Sequence, residues 1–95
     1  MYTEYSRPHI PAGLQVLPVG ATAVKLTVPT GSRYAEVRVL DNDVRFRDDA
    51  TASSTTGYLV KKEEEIELVS REQLAAFNVA STGGTASLEI RYYKI

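Results

Sequence analysis

The feature that most restricts this chain is a hydrophobic period of two that returns along its length. Ala86, Leu88, Ile90 and Tyr92 alternate with Ser87, Glu89, Arg91 and Tyr93, so an extended segment there puts its apolar side chains on one face. Ala35, Val37 and Val39 alternate with Glu36 and Arg38 in the same way, and Val44 and Phe46 alternate with Arg45 and Arg47. Val24, Leu26 and Val28 stand against Lys25 and Thr27, and Ile66 and Leu68 stand around Glu67. The same alternation predicts that Leu14, Val16 and Pro18 form an inward face. A chain of half-buried strands has to pack one sheet on another, because each sheet has one apolar face to cover.

The breaks between these runs carry turn chemistry. Proline and glycine at 18–21 and 29–32 separate the first strands, and Asp41-Asn42-Asp43 supplies polar residues that tolerate a left-handed conformation. Residues 34–47 are therefore expected to form a β-hairpin. The segment 48–56, rich in Ala, Ser and Thr, is the longest loop, and Gly57 restarts order. The charge run 61–65 is expected at a hairpin tip, and Ser81-Thr82-Gly83-Gly84 is expected to close another hairpin. Ser70-Arg71-Glu72-Gln73 matches a capping box and predicts one helical turn over 71–76.

About seven or eight short strands result. Such spacing predicts an all-β fold, a small antiparallel β-sandwich or jelly roll with one short helical turn. Pro8 and Pro11 fix φ and remove two donors, so residues 1–13 are expected to be an extended N-terminal arm, leaving 14–95 as the single sandwich domain. With 95 residues there is room for one core, and with no cysteine there is neither a disulfide nor a thiolate metal site to reinforce it. Association with other subunits is the remaining route.

Eleven basic residues against twelve acidic give a net charge of −1, which supplies no field for nucleic acid. No apolar stretch reaches the length of a membrane helix, and no secretion signal is expected at the N-terminus.

Chemistry-bearing residues are sparse. His9 is the sole histidine, so a zinc site, a multi-histidine iron site or a Ser–His–Asp triad has too few parts within one chain. Asp41-Asn42-Asp43 begins like a calcium loop but lacks the glycine and the closing glutamate of that motif. Gly83-Gly84 is followed by neither a helix nor a lysine in the place a phosphate cradle needs. The expectation is no catalytic residues, no metal, no cofactor and no enzymatic activity.

The most individual segment is Arg45-Phe46-Arg47-Asp48-Asp49, two guanidinium groups beside two carboxylates at the mouth of the long loop. Adjacent aspartates on a strand point apart, which argues against shared acid–base work and for a structural role in cross-strand ion pairs or an interface. Tyr2, Tyr5, Arg7 and His9 in the arm, and Tyr92 and Tyr93 at the far end, complete the expected contact set, since tyrosine joins a large apolar face to a hydroxyl.

The run Val44-Arg45-Phe46-Arg47-Asp48-Asp49, the polar Ala/Ser/Thr loop, Gly57, the apolar strand after it, Phe77 and the closing Tyr92-Tyr93 resemble small structural proteins of tailed bacteriophages. That resemblance spans residues 34–95. It implies a jelly-roll decoration or cement protein located in the virion, a homo-oligomer with a trimer favoured, whose partner is the major capsid protein or another virion subunit. A head–tail connector or tail component is the alternative within that class. From a different class, a carbohydrate-binding β-sandwich would need Tyr58, Tyr92 or Tyr93 exposed in a row.

Overall fold

The computed structural model describes residues 10–94. Its elements run β1 (Pro11–Val19), β2 (Val24–Lys25), β3 (Tyr34–Leu40), β4 (Val44–Arg47), β5 (Tyr58–Val60), β6 (Glu65–Leu68), α1 (Arg71–Ala76), β7 (Asn78–Ser81) and β8 (Ala86–Tyr93). Two four-stranded sheets result, in the orders β1-β8-β3-β6 and β2-β7-β4-β5. Every ladder is antiparallel.

The pairs β1–β8, β2–β7, β3–β6 and β4–β5 nest inside one another, as if the whole chain were one long hairpin with residues 48–57 at its tip. The further ladders β3–β8 and β4–β7 roll that hairpin into two sheets. This is an eight-stranded jelly roll, the expected fold class, with the short helix where the capping box placed it. Ser70 Oγ accepts from the Gln73 amide at 3.1 Å, while Gln73 Oε1 accepts from the Val69 amide at 2.9 Å, two residues bracketing the helix start.

The core lies between the sheets. Val37 and Val39 from β3, Leu88, Ile90 and Tyr92 from β8, Val44 from β4 and Val79 from β7 are all buried there with Phe77 and Leu68. These are the alternating sets of the sequence, and their removal from water is the main force holding the two layers together.

Connectivity differs from the expected hairpins. β3 lies in the first sheet and β4 in the second, so residues 34–47 cross between layers. Three residues, 41–43, make the connection, and of these Asp41 alone takes a positive φ (77°). The charged segment 61–64 and the Ser81–Gly84 turn also cross between sheets rather than close hairpins. Among the described residues only β4 and β5 are consecutive strands paired within one sheet, and the long loop joins them. The crossing turns are tied together at that end of the sandwich: Asp43 accepts from the amides of Lys62 and Thr82, and the Asn42 side-chain amide donates to Thr85 O.

The phase of β1 is also reversed. Leu14, Val16 and Pro18 face outward, while Ala12, Gln15, Leu17 and Val19 point toward the core. A register shift between Pro11 and Gly13 accompanies this, and the strand begins at Pro11, inside the segment expected as the arm. Gln15 sits inward because its carbonyl is satisfied there: Oε1 accepts from the Tyr92 hydroxyl at 2.6 Å and the Thr27 amide at 3.2 Å.

Candidate functional site

The end of the sandwich that carries the long loop gathers the distinctive sequence. Strand β4 delivers Arg45, Phe46 and Arg47, β5 delivers Tyr58, and the loop delivers Asp48, Asp49, Thr56 and Gly57. Phe46, Arg47, both aspartates, Thr56, Gly57 and Tyr58 line an open depression of about 420 Å³.

Tyr58 is its most prominent feature. The side chain is 75% exposed, yet its ring stacks on Phe46 with centroids 5.7 Å apart, and Phe46 stacks in turn on buried Phe77 at 5.1 Å. An aromatic relay thus runs from the core to the surface and fixes the outer ring in one orientation. Leu59 beside it is 42% exposed.

Arg47 and Asp49 form a two-pronged pair, Nε to Oδ1 at 2.8 Å and Nη2 to Oδ2 at 2.9 Å. Hydrogen bonding to Arg47 holds the Asp49 carboxyl below its usual range, and the same bond raises Arg47. Both are solvent-facing, so the pair shapes the rim more than it stabilises the fold. Asp48 points elsewhere and accepts from Gln73 Nε2 at 3.2 Å, linking the loop to α1. The two aspartates therefore have separate partners. Arg45 donates from Nη1 to Gly57 O at 3.1 Å, and its Nε is buried without a partner. It braces the loop from beneath.

The loop is held by a residue that the sequence reading passed over. Asn78, at the start of β7, accepts from the Ala52 amide through Oδ1 at 2.7 Å and donates from Nδ2 to Ala50 O at 2.8 Å and Arg47 O at 3.1 Å. A lone amide inside the apolar run Phe77 to Ala80 was the available signal, because a polar side chain in a fully buried strand has to find partners. Gly57 closes the loop at φ 137° with its α-carbon packed against Phe46 O, where a β-carbon would stand 2.9 Å away.

Other expected contact residues lie apart from this end or outside the described chain. Tyr92 and Tyr93 are 1% and 8% exposed, Tyr92 because it faces the core between the sheets and Tyr93 because its ring, on the other face of β8, lies against Tyr34, so they give no surface row with Tyr58. Tyr93 stacks on Tyr34 at 5.0 Å. Burial pushes the Tyr92 hydroxyl up to about 12. Tyr2, Tyr5, Arg7 and His9 fall outside the described residues.

A broader groove of about 850 Å³ runs between the turn at 29–33 and α1, with Arg33 and Arg71 on its rim and Ser32 Oγ buried and unpartnered in its wall. Among the described residues no group of three or more His, Cys, Asp or Glu is placed to hold a metal ion, and no helix is long and apolar enough to cross a membrane. Compared with known proteins, the chain matches no family model, no curated protein and no solved structure.

Proposed function

We propose that this chain is a non-enzymatic structural subunit of a tailed-bacteriophage virion, a decoration protein that seats its β4–β5 end on the major capsid protein. The observation that carries the reading is Tyr58: a largely exposed ring, anchored through Phe46 and Phe77 to the core, with Leu59 and the Arg47–Asp49 fork around it. Rigid aromatic anchors within a polar rim are the usual centres of protein docking sites, since little side-chain freedom is lost on binding. The jelly-roll architecture, used by many capsid proteins, supports the same reading by analogy, as does the resemblance in residues 34–95, which includes this whole end.

Mixing the purified protein with undecorated shells of the phage that encodes it, and counting copies per particle, is the test. Many copies per shell, with Tyr58→Ala binding at least about tenfold more weakly and melting like the parent, are expected. Occupancy of only a few copies at one vertex would move the protein to the connector or tail. Absence of binding, or an unaffected Tyr58→Ala variant, would overturn the reading.

One observation favours a second reading. A carbohydrate-binding sandwich loses the row of exposed tyrosines it called for, but Tyr58 alone still presents an exposed ring beside Asp48 and Asp49, which suits the apolar face and hydroxyls of a sugar. Binding on a glycan array that disappears in Tyr58→Ala would favour a carbohydrate-binding sandwich over decoration.

A further inference from the structure

The groove between the turn at 29–33 and α1 gathers positive charge that the fold does not use. Elsewhere the cations are engaged: Arg38, Arg47, Lys61 and Arg91 are ion-paired, and Arg45 donates to Gly57 O. Among the described residues four basic side chains, Arg33, Lys62, Arg71 and Lys94, have neither an ion pair nor a hydrogen-bond partner. Three of these four stand at the groove. Arg33 and Arg71 line its opposite sides, and the Lys94 stem lies against Gly31 in its wall, where a β-carbon would stand 3.9 Å from Cε. A further cation comes from β2, since Lys25 Nζ reaches the carbonyl of Ala75, another lining residue, at 3.4 Å. Against them the groove carries one carboxylate, Glu72. A chain with net charge −1 has concentrated positive charge in one cleft.

Beneath the charges the floor is apolar. Leu74 is buried, Val28 and Pro29 are half-buried, and Val69 at the edge is 60% exposed. Ser32, 4% exposed, lines the same wall with a hydroxyl that has no partner. Among the described residues no aromatic side chain lines the groove, so it offers no platform for stacking a base. A free small anion would engage the guanidinium groups and leave the apolar floor uncovered. An extended peptide suits both, because its period of two puts apolar side chains on one face and carboxylates on the other, and arginine forks bind carboxylates with two parallel bonds.

We propose that this groove binds an extended acidic segment of another protein, with apolar side chains on the Val28–Leu74 floor and carboxylates between Arg33 and Arg71. The chain's own acidic run does not suit it: Glu63 pairs with Arg38, Glu64 accepts from the Lys61 amide, and Glu65 and Glu67 sit in the β6 ladder. Residues 1–9 offer one acid, Glu4, against Arg7. The site is separate from the Tyr58 surface and does not rest on the virion reading. A chain that takes an acidic peptide but ignores phage shells keeps this site and loses the docking role, and the opposite result loses this site alone.

The test uses the full chain and a short fluorescein-labelled peptide of alternating leucine and glutamate, followed by anisotropy. Saturable binding is expected, at least about tenfold weaker for the same peptide with glutamine in place of glutamate and for the double variant Arg33→Glu, Arg71→Glu. Raising salt from about 50 mM to about 500 mM is expected to weaken it as well. Both arginines are exposed and an acid suits the first turn of a helix, so the double variant is expected to melt like the parent. Tyr58→Ala is expected to bind the peptide as the parent does. A parent that fails to saturate into the millimolar range, equal affinity for the glutamine peptide, a double variant that binds like the parent, or tighter binding of a single-stranded oligonucleotide of equal charge would each overturn the proposal. So would self-association of the parent that the double variant lacks, which would give the groove to a second copy.

Discussion

Replacing Asn78 by alanine isolates the cost of releasing the long loop. The side chain is 7% exposed and meets four backbone groups: Ala52 N–H at 2.7 Å and the carbonyls of Ala50, Arg47 and Ala76 at 2.8, 3.1 and 3.3 Å. Nδ2 has two hydrogens for three carbonyls, so three bonds in all are counted. At about 1 kcal/mol net each, Asn78→Ala is expected to lose ~3 kcal/mol. For a domain of this size that lowers Tm by roughly 12–24 °C. Asn78→Asp keeps the acceptor for Ala52 but turns a carboxylate toward carbonyl oxygens. Its folded-state pKa is therefore raised, so the variant is weakest at neutral pH and recovers as acid restores a donor proton. Urea unfolding of the parent and both variants at pH near 7 and near 4 reads both effects. A loss under about 1 kcal/mol for the alanine variant, or an aspartate variant as stable as the parent at neutral pH, would refute the account of the loop.

Gly57→Ala is expected to cost about 2 kcal/mol, seen as a lower urea midpoint at constant slope, because its φ of 137° and the 2.9 Å approach to Phe46 O leave a β-carbon no place; an unchanged midpoint would contradict the close packing. Stability of the parent is expected to fall as pH rises from about 10 toward about 12, since an unfolded tyrosine releases its proton first while buried Tyr92 retains it. Tyr92→Phe removes that part of the slope, and two parallel stability–pH curves would show that Tyr92 does not cause it.

Strand positions were legible because alternation survives in β3, β4, β6 and β8, each with one face on the core. Helix α1 was legible from Ser70 and Gln73, whose side chains act locally. β1 was misread because its outward residues, Leu14 and Val16, are as apolar as its inward Leu17 and Val19, so period alone gives no phase. Pairing was misread at 41–43 and 81–84 because turn residues report a change of direction and not whether the next strand stays in the same sheet. That choice is made by distant partners: Val39 and Val44 both belong in the core, and placing them on facing layers lets both be buried. At the candidate site, the unusual clustering of Arg45, Arg47, Asp48 and Asp49 singled out a segment that the structure places at one end of the sandwich. The burial of Tyr92 and Tyr93 was not, since a terminal strand reads as an edge until its neighbours are known.

The nested pairing carries a consequence for how the molecule is made. Of these eight strands β1 and β2 are synthesised before the others, yet their sheet partners are β8 and β7, made after the rest. The inner pairs β4–β5 and β3–β6 can close early around the tip at 48–57, but β1 waits until β8, which fills the slot between it and β3, has been made. During that interval an uncharged, proline-bounded segment has no partner of its own. Prolines at both ends, which limit any ladder that forms there, make it a poor template for the runaway pairing that a long apolar strand would otherwise invite.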